Sequence, residues 1–237
     1  HDALPISSTA AITPIQFCEK YCQYVDEGYT DVIHVPINRS GSSTYNNAVM
    51  AQGMLREERP EHHLNIHLLD PHTYSMVFGW YLCEMARKLQ NGAELRHVIS
   101  EFETQMNKME IILGPYSLKQ MKKSGRISAA AAVMGELMGI RPIITLIDGK
   151  TRVESKVRGD DKVIPAMIDL CKKRTEGVED FDYMIGHTSI PQAAELEKAC
   201  RKAFGKAPLT TFNLGGVVSA NTGPDTLALV YVGKARD

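Results

Sequence analysis

The sequence predicts an α/β protein of two domains, an N-terminal one on a parallel sheet and a C-terminal one on a mixed or antiparallel sheet with helices. Three observations lead there. A strand-type segment, a helix-type segment and a second strand-type segment follow one another between Thr30 and Leu69, and that order implies parallel pairing. From Met109 onward, strands alternate with helices around an Asp148-Gly149 hairpin signal. The 237 residues, 43% hydrophobic and 23% charged, are ordinary globular composition with enough chain for a sizeable core. The boundary is expected near Asn107, giving residues 1–107 and 108–237.

Each element has a local reason. Thr13-Pro14 supplies an N-cap and a first-turn proline for a helix whose apolar stripe is Phe17, Tyr21, Tyr24 and Val25, with Gly28 as its stop. Thr30–Ile37 reads as a strand, Thr44–Glu58 as a helix and His63–Leu69 as a second strand. Helices over Ser75–Leu89 and Ala93–Asn107 are separated by Asn91-Gly92. Next come a short apolar strand, Met109–Leu113, and a basic helix, Leu118–Lys123. Ile143–Ile147 and Thr151–Val157 form a hairpin, because Asp-Gly suits the two positive-φ positions of a type I′ turn. Helix Lys162–Arg174, strand Tyr183–His187, helix Pro191–Phe204, strand Leu209–Leu214 and strand Thr226–Val232 complete the chain.

Charge and cysteine content narrow the function classes. Twenty-seven basic and 28 acidic side chains leave a net charge of -1, which argues against general nucleic-acid or polybasic membrane binding. No uncharged apolar run approaches the roughly 18 residues of a membrane span. The first residues have neither the basic nor the apolar region of a signal peptide, so a cytoplasmic protein is expected. Five cysteines, an odd number without a C-x-x-C pair, read as reduced, buried thiols. Cys18 and Cys22 stand one helical turn apart, as neighbours outside disulfide geometry.

The most informative stretch is Arg39–Tyr45, R-S-G-S-S-T-Y, between the carboxyl end of a strand and the start of a helix. Ligands of open α/β sheets bind at that edge. Unpaired first-turn N–H groups, the hydroxyls of Ser42, Ser43 and Thr44, and the bare backbone at Gly41 all suit a carboxylate or phosphate. Two readings stand at this point, an anion site and a Ser/Thr-rich helix cap without ligand. The stretch is neither a Walker A loop nor a G-x-G-x-x-G fingerprint. Gly215–Pro224 reads as a tightly folded loop between strands, and Ser124–Ser128 as an exposed turn beside Lys119, Lys122 and Lys123. His63 and His67 share a strand face but read as partly exposed histidines, Asp160-Asp161 as a helix start, and His187-Thr188-Ser189 as the cap of the next helix. No paired carboxylates, G-x-S-x-G elbow or Ser-His-Asp set emerges, so no catalytic residue and no metal ligand is assigned.

Taken together, the clusters resemble the DegV family of bacterial fatty-acid-binding proteins, the lipid-carrying subunit of fatty acid kinase. The matching pieces run in order over nearly the whole chain. They are T-A-A-I-T-P-I-Q-F at Thr9–Phe17, S-G-S-S-T-Y-N-N-A at Ser40–Ala48 and D-P-H-T-Y-S-M at Asp70–Met76, then S-G-R-I-S at Ser124–Ser128. I-R-P-I-I-T-L-I-D-G at Ile140–Gly149, K-V-R-G at Lys156–Gly159 and N-T-G-P at Asn221–Pro224 follow. The resemblance implies a Rossmann-like N-terminal sheet and a DegV-like C-terminal domain. It also implies a buried long-chain fatty acid, with no cofactor beyond that ligand, whose carboxylate is held by Thr9 and Ser42. Ser43 and Thr222 stand beside these positions. The family's third polar contact is a histidine where this chain has Asn221, and an amide donates a hydrogen bond but carries no positive charge. Arg126 falls on the arginine implicated in docking the ATP-dependent kinase subunit, with Ser124 where the family usually has glycine. Met76, Phe78 and Met134 are candidates for the apolar tunnel.

On this reading the chain is a non-catalytic lipid carrier. An α/β enzyme acting on a small phosphorylated or carboxylated metabolite at the Ser42 loop is the alternative, and a scaffold whose loops only cap helices is a third. Family members carry a strand, a loop and a helix ahead of the threonine motif, so the N-terminal domain is expected to lack its first strand. His1–Ile6 also matches one reading frame of a common sequencing adapter.

Overall fold

The computed structural model describes residues 8–125 and 139–235. Helix α1 (Pro14–Asp26) opens as its sequence dictates. The Thr13 hydroxyl accepts from the Gln16 N–H at 3.3 Å, and the Gln16 side chain accepts from the Thr13 N–H at 3.0 Å, a reciprocal capping box. Phe17, Cys18, Tyr21 and Cys22 form its buried face. That face packs on Ala48, Ala51 and Leu55 of α2 (Thr44–Glu58), where the two alanines let the helices approach closely.

Strands β1 (Asp31–His34) and β2 (Asn65–Leu68) pair in parallel, Asp31 opposite Asn65 through His34 opposite Leu68. This is the expected βαβ unit, with both strands shorter than the sequence suggests. Pro36 has no N–H to extend β1, and Asn38 turns its N–H to Thr73 O, so the chain leaves the sheet there. Before β2, a turn between Arg59 and His62 occupies the chain, and His63 is exposed outside the strand. His67, on β2, meets Asp31 across the pair at 2.9 Å.

Helices α3 (Met76–Gln90) and α4 (Leu95–Met106) follow, joined at Asn91-Gly92. The larger sheet comprises β3 (Met109–Pro115), β4 (Ile140–Ile147), β5 (Lys150–Arg158), β6 (Tyr183–His187), β7 (Thr211–Asn213) and β8 (Thr226–Val232). Their spatial order is β5-β4-β3-β8-β6-β7, antiparallel except for the parallel β6–β7 pair. The predicted mixed sheet is therefore present. Asp148 and Gly149 at the β4–β5 turn have φ of 49° and 70°, the two positive values a type I′ turn requires.

Alternation builds the core on both faces of this sheet. Ile111, Leu113, Ala228, Val230 and Met184 join Val77 and Met85 of α3 and Val98, Phe102 and Met106 of α4 on one face. Ile112, Leu227, Leu229, Tyr231 and Ile185 point to the other. There they meet Val163, Met167 and Cys171 of α6 (Val163–Arg174) and Leu196 and Cys200 of α7 (Gln192–Phe204). Burying each such aliphatic side chain contributes about 1.5–3 kcal/mol. The sequence boundary near Asn107 thus falls between α4 and β3, two elements that share one apolar cluster. No helix among the described residues is long and apolar enough to cross a membrane.

Three local expectations need correction. Gly215–Thr222 is a helix, α8, rather than a loop. It packs beside α5 (Lys119–Ser124), which donates from Gln120 Nε2 to Ala220 O and from Ser124 Oγ to Asn221 O at 3.1 Å. His187-Thr188-Ser189 does not cap α7. The Thr188 hydroxyl instead binds Pro224 O and accepts from the Thr226 N–H at 3.0 Å, tying two strand ends together. Cys83 is exposed, while the other four thiols are buried and all five are free. Burial, reinforced by neighbouring thiol and carboxylate groups, pushes Cys18 up to about 11. Burial pushes Cys200 up to about 12, helped by the nearby Glu197 charge. These thiols are poor nucleophiles.

Candidate functional site

The loop before α2 is built around Asn38, whose residue is 1% exposed. Its Oδ1 accepts from both the N–H and the hydroxyl of Ser40 at 3.0 Å. Its carbonyl accepts from the Gly41 N–H at 3.2 Å, and its Nδ2 reaches the Tyr74 hydroxyl at 3.4 Å. A buried amide with all these partners rigidifies the backbone around it. Gly41 is required by proximity, since a Cβ there would lie 3.0 Å from Tyr74 Cζ and closer to the hydroxyl.

Downstream, the Ser42 and Thr44 hydroxyls are 2.8 Å apart, and Ser42 Oγ accepts from the Thr44 N–H at 3.2 Å. Ser43 is the N-cap by position but makes no side-chain cap bond and is exposed. Helices α1 and α4 differ, closing their N-termini with Thr13 and Glu94. Among the described residues, no side chain at the N-cap position of α2 closes its later first-turn N–H groups, and the positive end of the helix dipole lies behind them. The Arg39 guanidinium lies over the Tyr45 ring, 5.3 Å from its centroid, and adds a cation at the rim.

A second loop, between β2 and α3, buttresses the first. Asp70 Oδ1 accepts from the His72 N–H at 2.9 Å and from the Arg39 N–H at 3.4 Å. His72 and Ser75 hold φ of 55° and 61°, sparsely populated values for residues with side chains. Among the described residues, Asp70 Oδ2 and Thr73 Oγ1 are buried without a hydrogen-bond partner. The β4–β5 turn closes the cluster from the other side, because a Cβ on Gly149 would fall 2.6 Å from Asn38 Cγ. Three chain segments distant in sequence thus converge on Asn38.

The sequence-derived residues occupy separate local networks. Ser42 lies half-buried at the open end of α2. Thr9 is exposed in the segment before α1, and Asn47 Nδ2 holds that segment to α2 through Ile12 O at 2.7 Å. Asn221 donates from Nδ2 to Val217 O at 2.9 Å. The Thr222 hydroxyl lies 3.2 Å from Val218 O and 3.3 Å from Gly223 O, in a residue only 5% exposed. The structure does bring Ser124 of the S-G-R-I-S piece onto Asn221 of the N-T-G-P piece. Met76 and Phe78 are half-buried against the core face shared by α3 and α4. Arg126 and Met134 lie outside the described residues. In the sequence, Asp70–Met76 stands out only as a piece of the family resemblance, and neither Asn38 nor Tyr74 has an assigned role. The available signal was positional, an aspartate ending a strand just ahead of a helix, the same edge that marked Ser42.

The family model described as "Uncharacterised protein, DegV family" matches residues 2–234. A DegV domain-containing protein of Clostridium perfringens is 29% identical over 236 residues, covering 98% of this chain and 79% of its own length. A stearic acid-binding protein from Eubacterium ventriosum superposes with a TM-score of 0.86 at 20% identity, over 99% of this chain and 80% of that one. A fatty acid binding DegV family protein from Streptococcus agalactiae gives a TM-score of 0.83 at 25% identity, over 98% and 81% of the two chains.

Proposed function

The chain belongs to the DegV family, and on that premise we infer that it binds one long-chain fatty acid with its carboxylate at the start of α2. The observation that carries this reading is the open helix N-terminus beside Ser42. Helix N–H groups and the Ser42 hydroxyl are donors suited to an anion, and no side-chain cap at Ser43 competes for them. Thr9 and Ser43 supply further hydroxyls. Asn221 has a second amide proton to offer at the position of the family histidine, while the Thr222 hydroxyl serves its own helix.

The energetics of such a complex divide cleanly. Each charge-assisted hydrogen bond to the carboxylate contributes about 1.5–3 kcal/mol and fixes orientation. Each methylene removed from water contributes about 0.8 kcal/mol, so the tail dominates gross affinity. Met76 and Phe78 are the proposed start of its path.

In this reading the protein catalyses no step. It presents the carboxylate to a separate ATP-dependent fatty acid kinase subunit, which forms the acyl phosphate, and Arg126 contributes to docking that subunit. Denaturing the purified protein and analysing the extract by mass spectrometry tests the binding. One long-chain fatty acid per chain is expected, and a lipid-free protein that ignores added oleate contradicts it. Acyl phosphate, trapped as the hydroxamate, should need the kinase as well as ATP. Product from this chain with ATP alone contradicts the division of labour.

A further inference from the structure

Outside that site, the packing of α1 on α2 gathers three metal-ligating groups. Cys18 and Cys22 lie on the same buried stripe of α1, and Glu58 is the last residue of α2. Among the described residues, the two thiol sulfurs and a Glu58 carboxylate oxygen all lie within 4.8 Å of one another. Cys18 Sγ stands 3.7 Å from Glu58 Oε2.

We propose that Cys18, Cys22 and Glu58 form a binding site for a borderline-soft divalent cation of the zinc class. Zinc bonds of about 2.3 Å to sulfur and about 2.0–2.2 Å to oxygen give tetrahedral edges of roughly 3.8 Å and 3.6 Å. The Cys18–Glu58 separation already has that length, and Glu58 is exposed and can turn inward. Residues four apart on a helix point two ligands to one side, and the second helix brings the third. Two sulfurs select against magnesium and calcium, which take oxygen donors. Three protein ligands leave the fourth position to water. Each ion bound displaces two thiol protons into solvent, leaving both sulfurs as thiolates. Glu58 ends a helix whose other end carries the Ser42 loop, about 21 Å away at 1.5 Å per residue. The ion would therefore clamp α1 to α2 at the far end of α2 from the carboxylate site, and the proposal does not depend on that ligand.

Cobalt(II) added to chelator-treated full-length protein is the direct probe. One equivalent is expected to produce a sulfur-to-cobalt charge-transfer band and tetrahedral d–d bands, both abolished by competing zinc. Cys18→Ser and Cys22→Ser should each lose the charge-transfer intensity of one sulfur, and Cys83→Ser should keep the full spectrum. Glu58→Gln changes an exposed side chain and should leave the fold intact while weakening the ion at least about tenfold. Absence of a stoichiometric thiolate band in the unmodified chain overturns the proposal. So does a band that survives both cysteine substitutions.

Discussion

Replacing Gly149 by alanine tests whether the β4–β5 turn holds the Ser42 loop in place. Two costs follow from its surroundings. Gly149 has a φ of 70°, where a side chain costs about 1–2 kcal/mol. The new methyl would also fall 2.6 Å from Asn38 Cγ, and nearer to Asn38 Nδ2 and Ser40 Oγ, so the loop must move. Overpacking of that kind costs about 1–3 kcal/mol. The total of about 2–5 kcal/mol lowers Tm by about 10 °C at mid-range in a protein of this size. Gly177→Ala is the matched control, since its φ is 79° and nothing lies within 4 Å of the new Cβ. It should show only the backbone cost and a fall of about 5 °C. Thermal unfolding and oleate titration of both variants make the assay. Because the displaced segment leads directly into Ser42, oleate affinity should drop in Gly149→Ala and stay unchanged in Gly177→Ala. Equal Tm and equal affinity in the two variants would refute the reasoning.

Three further outcomes follow from named contacts. Ser42→Ala should weaken oleate binding by about 1.5–3 kcal/mol, ten- to a hundredfold, with a fall in Tm of only a few degrees from the lost Thr44 contacts; unchanged affinity in a direct titration removes Ser42 from the site. Arg174 binds Glu110 through Nη2 at 3.0 Å and through Nε, and the Glu110 side chain is 7% exposed. Arg174→Met should cost about 3 kcal/mol in urea unfolding, with much of it recovered in the Glu110→Leu, Arg174→Met, Tyr231→Phe triple variant, which also removes the buried Tyr231 hydroxyl that donates to Glu110 at 2.6 Å; a neutral single variant contradicts this. Burial lowers the His34 pKa below its ordinary 6.5, and its Nδ1 lies 2.6 Å from the Tyr21 hydroxyl. The unfolded chain then takes up a proton that the folded chain refuses, so this stability is present above pH 6.5 and is lost as pH falls from there through the depressed folded value. His34→Gln should flatten the dependence of Tm on pH in that range, and parallel profiles for the two proteins count against it.

Much of the fold was legible because its causes are local. The Thr13–Gln16 capping box sets the start of α1, and Asp148-Gly149 sets the hairpin, each through residues adjacent in sequence. Helix α8 was hidden for the opposite reason. Gly-Gly-Val-Val has poor helix propensity, and contacts from Gln120 and Ser124 of α5 hold the segment helical. The Ser42 loop was visible through its hydroxyls and its position at a strand-to-helix junction. Its support was not, because Asn38, Tyr74 and Gly149 meet only after the β4–β5 turn crosses to the first loop. The division of the chain near Asn107 stays a proposal, since α3 and α4 share their core with β3, β4 and β8.

The central claim is that a fatty acid carboxylate rests against the N-terminus of α2. Oleate labelled with carbon-13 at its carboxyl, bound to the purified protein and observed by NMR, tests it most directly. A single bound resonance, distinct from free oleate and displaced by Ser42→Ala but not by Cys83→Ser, is the predicted result. A bound resonance indifferent to Ser42→Ala, or no bound resonance at all, would contradict it.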